Sequence, residues 1–464
     1  MEATHPSDSF RDTVYIVNKD GGRKWVFPKM PKGFFYKIRT LISYILLAIF
    51  FITPFIKING HPIIKLNILE REFVLFGAPF WPQDFHLLFL AMICFFVFII
   101  LFTSIFGRVW CGYACPQTIF MELVFRKIDY WIEGDYQKKM KLAHQEWNTE
   151  KILKRVAKYG IYLIISLLIS HTVMAYIIGL DEVIKIVQIS PFQNLPGFIG
   201  IVVFTGIFFS VFAFLREVVC TVVCPYGRLQ GVLMTSDTIQ IAYDYIRGEP
   251  RGKIKKDEYE QHKGACIDCK LCVHVCPTGI DIRNGQQLEC ISCTACIDAC
   301  DEVMVKINQP TGLIRYASEK NITEKTPFKI TNRVKAYILV MCILLSVFSY
   351  LLVFRGQIEA TFLRVPGMLY TEQPDGIINN MYNLQIINKT FHKKSITLKI
   401  TSHRGKVKFM GLTNPVLQAN EKIDAVVMVS IPKSEVHSVS NKIKIEVISD
   451  GEVLENVKSN FLAP

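Results

Sequence analysis

Five stretches of the chain are apolar almost without interruption: residues 38–56, 85–106, 159–179, 197–215 and 336–354. Each is long enough to cross a bilayer core of about 30 Å as a helix. The near absence of charge inside them argues against buried helices of a soluble core. After the fifth stretch the texture changes. Residues 381–388, 395–400, 425–431 and 442–448 alternate apolar and polar positions. Turn residues such as Ser402-His-Arg-Gly405 and Ser449-Asp-Gly451 lie between them. This pattern predicts half-buried strands and a small immunoglobulin-like β-sandwich.

The loops between the apolar stretches differ in basic charge. Residues 1–40 carry eight Lys/Arg, 57–84 three, 107–156 nine, 180–196 only Lys185, and 220–333 fifteen. That alternation predicts a cytoplasmic N-terminus, and an odd number of spans then puts the tail on the outer side. The tail is also basic, which is no contradiction, because long translocated domains escape the rule. The first forty residues are polar and basic, so no cleavable signal peptide is expected.

The fold class expected is a multi-domain membrane protein. It joins a five-helix α transmembrane bundle, a cytoplasmic dicluster ferredoxin-like domain and a C-terminal immunoglobulin-like β-sandwich. The expected boundaries are 1–37 for the cytoplasmic N-terminal segment and 38–219 for four transmembrane helices. The ferredoxin domain takes 226–335, the fifth helix 336–355 and the periplasmic β domain 356–464.

Composition changes the picture in two ways. The net charge of +13 over 464 residues is accounted for by particular loops of a half-hydrophobic chain (51%), so nucleic acid is not implied. Fourteen cysteines are clustered rather than scattered, which points to metal chemistry in a reducing compartment.

Eight of them form two runs, Cys266-x2-Cys269-x2-Cys272-x3-Cys276-Pro277 and Cys290-x2-Cys293-x2-Cys296-x3-Cys300. This is the bacterial spacing for two [4Fe–4S] clusters, in which the fourth cysteine of each run ligates the other cluster. The expected sets are Cys266, Cys269, Cys272 and Cys300 for the first cluster, and Cys276, Cys290, Cys293 and Cys296 for the second. A zinc knuckle uses two C-x2-C pairs instead. Asp301 stands where the first run has Pro277, which loosens a turn but removes no ligand.

Two further pairs share the form C-x3-C-P: Cys111 and Cys115 after the second stretch, Cys220 and Cys224 after the fourth. Residues i and i+4 share a helix face, so each pair can aim two sulfurs at one spot. The proline places the second cysteine where the helix ends. Arg108 and Arg216 are expected to favour thiolates. A soft ion such as Cu(I), a dithiol–disulfide cycle and inert packing all fit these residues. Cys94 and Cys342 read as packing residues. His171, inside the third stretch, is a candidate metal, haem or quinone contact by its position alone. His274 reads as surface or packing. Trp131, Trp147 and Lys138-Lys139-Met140-Lys141 suit either an interfacial helix or a solvated linker. The tail has no cysteine, and His392, His403 and His437 show no ligand spacing. The sequon at Asn388 is discounted.

Together these pieces resemble the FixG/CcoG family, the cytochrome c oxidase accessory proteins also called RdxA. The resemblance is carried by Gly22-Arg-Lys-Trp25, Trp110-Cys-Gly-Tyr-Ala-Cys-Pro-Gln-Thr118, the Cys220–Pro225 motif, the double cysteine run and the β tail. It implies reduction of Cu(II) to Cu(I) for assembly of a cbb-type oxidase, with Cys111, Cys115, Cys220 and Cys224 holding copper. It also implies a cytoplasmic electron donor and a copper chaperone or oxidase assembly factors as partners; a homodimer is expected only because small membrane redox proteins often pair. The alternatives are a quinol-linked electron conduit without a metal substrate and a non-redox assembly scaffold.

Overall fold

The computed structural model describes residues 23–58, 61–67, 72–75, 78–81, 84–252, 264–390, 392–411, 415–419, 421–449 and 451–464. Backbone contacts divide it into two units. The first takes residues up to Ile56, Lys65–Asn67 and Leu88–Ser346; the second takes Lys57–Ile64, Ile68–Leu87 and Val347–Pro464.

Five helices are long and apolar enough to cross a membrane: α1 (Phe34–Ile52), α2 (Phe85–Phe106), α3 (Thr149–Ile178), α4 (Leu195–Ser210), which a wider helical turn extends to Leu215, and α5 (Asn332–Val353). Their outward faces are apolar, as lipid requires of a spanning helix. The largest departure from the sequence expectation is α3. It starts ten residues before the apolar stretch, with Asn148 capping the Lys151 amide. The added turns carry Lys151 and Lys158, both buried, which hydropathy alone reads as loop. Inside the first unit α3 and α4 pack on the segment 119–132. Phe125 stacks on Phe212 at 4.5 Å and meets Tyr162 edge-on at 4.7 Å. Beneath these rings Asp129 is fully buried and engages Arg216 (2.8 Å), Lys158 (2.9 Å), Lys139 (3.2 Å) and the Tyr162 hydroxyl (2.7 Å). Burial raises the Asp129 carboxyl, but Arg216, Lys158 and Lys139 overcome it and hold the group well below the usual carboxylate range.

The second unit contains the β-sandwich. Its strands are β1 (Ile358–Arg364), β2 (Ile377–Asn388), β3 (Thr397–Ile400), β4 (Lys406–Phe409), β5 (Lys422–Pro432), β6 (Ser440–Ser449) and β7 (Glu452–Leu462). One sheet runs β4-β5-β2-β1 and the other β3-β6-β7, all neighbours antiparallel. Inward positions such as Tyr382, Val427, Val429, Ile443, Ile445 and Phe461 are fully buried. Two polar groups tie the sheets: Tyr382 donates to Asn460 O (2.8 Å), and Asn380 exchanges two bonds with Leu462. Asn388 is fully buried, with its amide donating to the His392 and Gln418 carbonyls, so the sequon is inaccessible.

Glu455 on β7 crosses between the sheets and accepts from the Ala360 amide on β1. Burial, with Glu359 nearby, pushes its carboxyl up to about 7. Between about 4.5 and 7 the folded domain keeps a proton that the unfolded chain has released. Stability therefore falls as pH rises through that window. Glu455→Gln keeps the acceptor and removes the charge. At pH 8 it is expected to slow amide exchange of β1 and β7 by an amount equivalent to on the order of 1 kcal/mol. At pH 4 no change is expected. Equal exchange rates at pH 8 would refute this.

Candidate iron–sulfur and thiol site

Each long cysteine run bends through the same backbone device. Asp268 and Lys270 flank Cys269 with φ of 53° and 57°; Ser292 and Thr294 flank Cys293 with φ of 52° and 64°. Left-handed residues in such turns point successive amides inward and form concavities suited to anions. Short helices, Leu271–His274 and Ala295–Lys306, then carry the third cysteine of each run, and the second also carries Cys300.

Two adjacent cavities result. One is lined by Cys266, Cys269, Cys272 and Cys300 with Tyr243, Met304 and other apolar groups. The other is lined by Cys276, Cys290, Cys293 and Cys296, with Cys272 at the shared wall and isoleucines around it. In each cavity a cysteine from one run joins a triplet from the other. No three His, Cys, Asp or Glu side chains among the described residues converge on a single ion. Sulfurs spread round a cavity suit a cube of iron and sulfide better than one metal ion. Cys269 is the one exposed thiol of the eight. Burial raises the others wherever a shift is resolved: Cys272 and Cys300 to about 12, Cys290 and Cys293 to about 11.

The C-x3-C-P segments lie against this region within the first unit. A side chain at Gly112 would come within 2.4 Å of the Ser292 carbonyl oxygen, so only glycine permits that approach. Arg39 on α1 donates to Gly112 O at 2.6 Å. Asp298 of the helix Ala295–Lys306 accepts from the Phe35 and Tyr36 amides at the start of α1, satisfying two otherwise unpaired donors. Cys220 packs against the cluster of Val275, Ile291 and Cys293.

The two C-x3-C-P segments share a conformation. Cys115 (φ −66°, ψ 122°) and Cys224 (φ −69°, ψ 111°) are extended and precede the helix opened by their prolines. The amide of each reaches back five residues, Cys115 to Trp110 O (3.0 Å) and Cys224 to Val219 O (2.8 Å). The expected common helix face is therefore corrected. The wide turn and the extended second cysteine take each pair out of i,i+4 helical register. The expected arginine effect is corrected too. Arg216 is turned into Asp129, and although Arg108 lowers Cys111, burial wins. Cys111 is pushed up to about 11 and Cys220 to about 12. Cys111 hydrogen-bonds Gln230 Oε1 (3.3 Å), and Thr118 Oγ1 lies 4.0 Å from the Cys220 sulfur.

The remaining candidates separate. His171 Nδ1 is bonded to Leu167 O one turn back (2.8 Å), which satisfies it locally. It joins no group of three His, Cys, Asp or Glu side chains among the described residues that could hold a metal ion. His274 stacks on Tyr136. Cys94 is buried as a packing residue, whereas Cys342 is exposed on α5, whose apolar faces are the least covered of the five helices. Trp131 and Trp147 are largely exposed. Sequence reasoning missed Arg39, Asp298 and Gln230. Only Arg39 had a signal, as a charge at the edge of an apolar stretch.

Three family profiles match the chain: a 4Fe-4S dicluster domain at residues 215–319, a 4Fe-4S binding domain at 88–139, and the IG-like fold at the C-terminal of FixG, putative oxidoreductase, at 348–464. Protein RdxA of Cereibacter sphaeroides is 34% identical over 395 residues, 82% of this chain and 83% of its own. RdxB of the same organism is 34% identical over 396 residues, 82% of each chain. Nitrogen fixation protein FixG of Rhizobium meliloti is 32% identical over 420 residues, 82% of this chain and 79% of its own. Likeness of this extent reaches across both the helices and the cysteine runs, and the chain belongs to the FixG/RdxA family of iron–sulfur electron-transfer proteins.

Proposed function

We propose that this protein reduces Cu(II) to Cu(I) for assembly of a cbb-type cytochrome c oxidase. In this reading Cys266, Cys269, Cys272 and Cys300 hold one [4Fe–4S] cluster, and Cys276, Cys290, Cys293 and Cys296 hold the other. Such clusters supply single electrons. The observation that carries the proposal is the packing of Gly112 on Ser292 and of Cys220 beside Cys293. It supports a second thiol site there, with Cys220 and the turn that carries Cys111 and Cys115 beside the second set. Cu(II) gains one electron there, and the product Cu(I), softer than the substrate, is kept by Cys111, Cys115, Cys220 and Cys224 as their protons leave. The basic loops favour a cytoplasmic N-terminus and cysteine-rich segment with a periplasmic β domain in a bacterial inner membrane. A cytoplasmic donor and a copper chaperone or oxidase assembly factor complete the proposed partners.

A second reading follows from the 4Fe-4S binding profile over residues 88–139, which includes Cys111 and Cys115. There the four outer cysteines hold iron and sulfide instead of copper. One experiment separates the two. The protein with all four outer cysteines changed to serine is reduced anaerobically, given Cu(II), and assayed for Cu(I) with a chelator and for iron per chain. The copper reading expects at least about tenfold less protein-bound Cu(I) and unchanged iron, since four soft ligands are lost. Lower iron favours the second reading. Unchanged Cu(I) formation and retention would refute the first.

A further inference from the structure

Buried cations are distributed unequally between the two cysteine-lined cavities. Beside the first, Arg283 is held by Asp268 (2.5 Å) and Asp281 (2.7 Å), so its charge is cancelled where it stands. Arg283 itself lines that cavity, so the guanidinium beside the first set carries two carboxylates. Beside the second, two guanidinium groups are buried without that compensation. Arg39 is 2% exposed and Arg108 5%. Arg39 donates to Gly112 O, and Arg108 donates to the Leu288 and Gly227 carbonyls. Neither is ion-paired to a carboxylate among the described residues. Arg39 Nη2 and Arg108 Nε have no hydrogen-bond partner there. Arg108 Nη1 comes within 3.5 Å of Cys290 O, and Arg39 holds Gly112, which packs on Ser292 next to Cys293. Glu122 is itself engaged by Arg126 at 2.9 Å.

A guanidinium taken out of water without a counter-charge is costly, unless a negative group faces it. Four thiolates around iron and sulfide form a net anion, and one-electron reduction adds a further negative charge. Fixed positive charge in a low-dielectric site favours that reduced state. We propose that Arg39 and Arg108 are the charge-setting residues of the second cysteine site. They raise the reduction potential of a cluster held by Cys276, Cys290, Cys293 and Cys296 above that of one held by Cys266, Cys269, Cys272 and Cys300. A single added electron then resides, at equilibrium, in the site against which Gly112 and Cys220 pack. This rests on the reading that each cysteine set holds one [4Fe–4S] cluster.

The test is a potentiometric titration of the full-length, iron–sulfur-reconstituted protein in detergent, followed by electron paramagnetic resonance. Cys276→Ala identifies the second site, and the wave that it removes is expected to be the higher-potential one. Arg39→Gln and Arg108→Gln are each expected to lower that wave by at least about 59 mV, a tenfold change for a one-electron couple, and to leave the other in place. Arg39→Lys is expected to restore most of the shift. The proposal is overturned if Cys276→Ala removes the lower wave, or if both glutamine variants titrate as the parent does. If a glutamine variant does not accumulate, the order of the waves in the parent and in Cys276→Ala decides alone. Iron and sulfide short of two clusters per parent chain would instead overturn the underlying reading.

Discussion

Chains carrying Asp129→Ala are expected to lose about 3–5 kcal/mol of stability in the helical unit, the cost of breaking a buried ion pair from one side. The carboxylate is fully buried and neutralises three cations from separate segments: Lys139, Lys158 on α3, and Arg216 after α4. Without it Lys158 keeps Glu133 (3.3 Å) and Arg216 keeps Glu217 (3.9 Å), and the excess positive charge stays in a low-dielectric pocket. Burial already depresses the Lys139 ammonium to about 8, against the pull of Asp129. Asp129→Asn separates shape from charge. It keeps an acceptor for Tyr162 and is expected to lose most of the same stability, because the missing charge sets the cost. Lys139→Met is expected to be far milder, since Asp129 retains Arg216 and Lys158. The measurement is thermal unfolding of detergent-solubilised protein, read by the fraction that remains monodisperse. A parental midpoint for Asp129→Ala would refute the assignment.

The second large effect concerns how the cysteine runs cross. Cys276→Ala is expected to halve the iron content, and so is Cys300→Ala, by removing opposite clusters. Pairs of substitutions decide the crossing. Cys276→Ala with Cys290→Ala falls within one set and is expected to lose no more iron than either change alone. Cys276→Ala with Cys266→Ala falls across both sets and is expected to remove nearly all of it. Uncrossed ligation predicts the opposite for the two pairs, so iron and sulfide per chain settle the question. The expectation rests on Cys276 lining the cavity of the second triplet and Cys300 that of the first. If Cys272, at the shared wall, served the second set instead, Cys272→Ala with Cys290→Ala would lose only half.

Much of this was legible along the chain. Hydropathy located the five helices because a spanning segment needs length and apolar side chains, both of which are local properties. The cysteine spacing pointed to the cavities because the turns between ligands are only two or three residues long. Proline placed Cys115 and Cys224 in extended backbone through its own clash with the preceding residue. Four β strands were visible in their alternation. β1, β4 and β7 were not singled out. β1 alternates buried and partly buried positions, and β4 is only four residues long.

The sequence by itself therefore determined membrane helices, paired iron–sulfur ligation and a β tail, since each is written in short-range spacing. The tertiary structure decided what surrounds those elements. Arg216 looked like an activator of Cys220, yet the fold turns it onto Asp129, 87 residues away. Arg39 was not singled out in the sequence, yet it reaches the Cys111–Cys115 turn. Charge and burial act through space at a few ångströms, so which cation meets which thiol depends on contacts between distant segments. No local pattern records them.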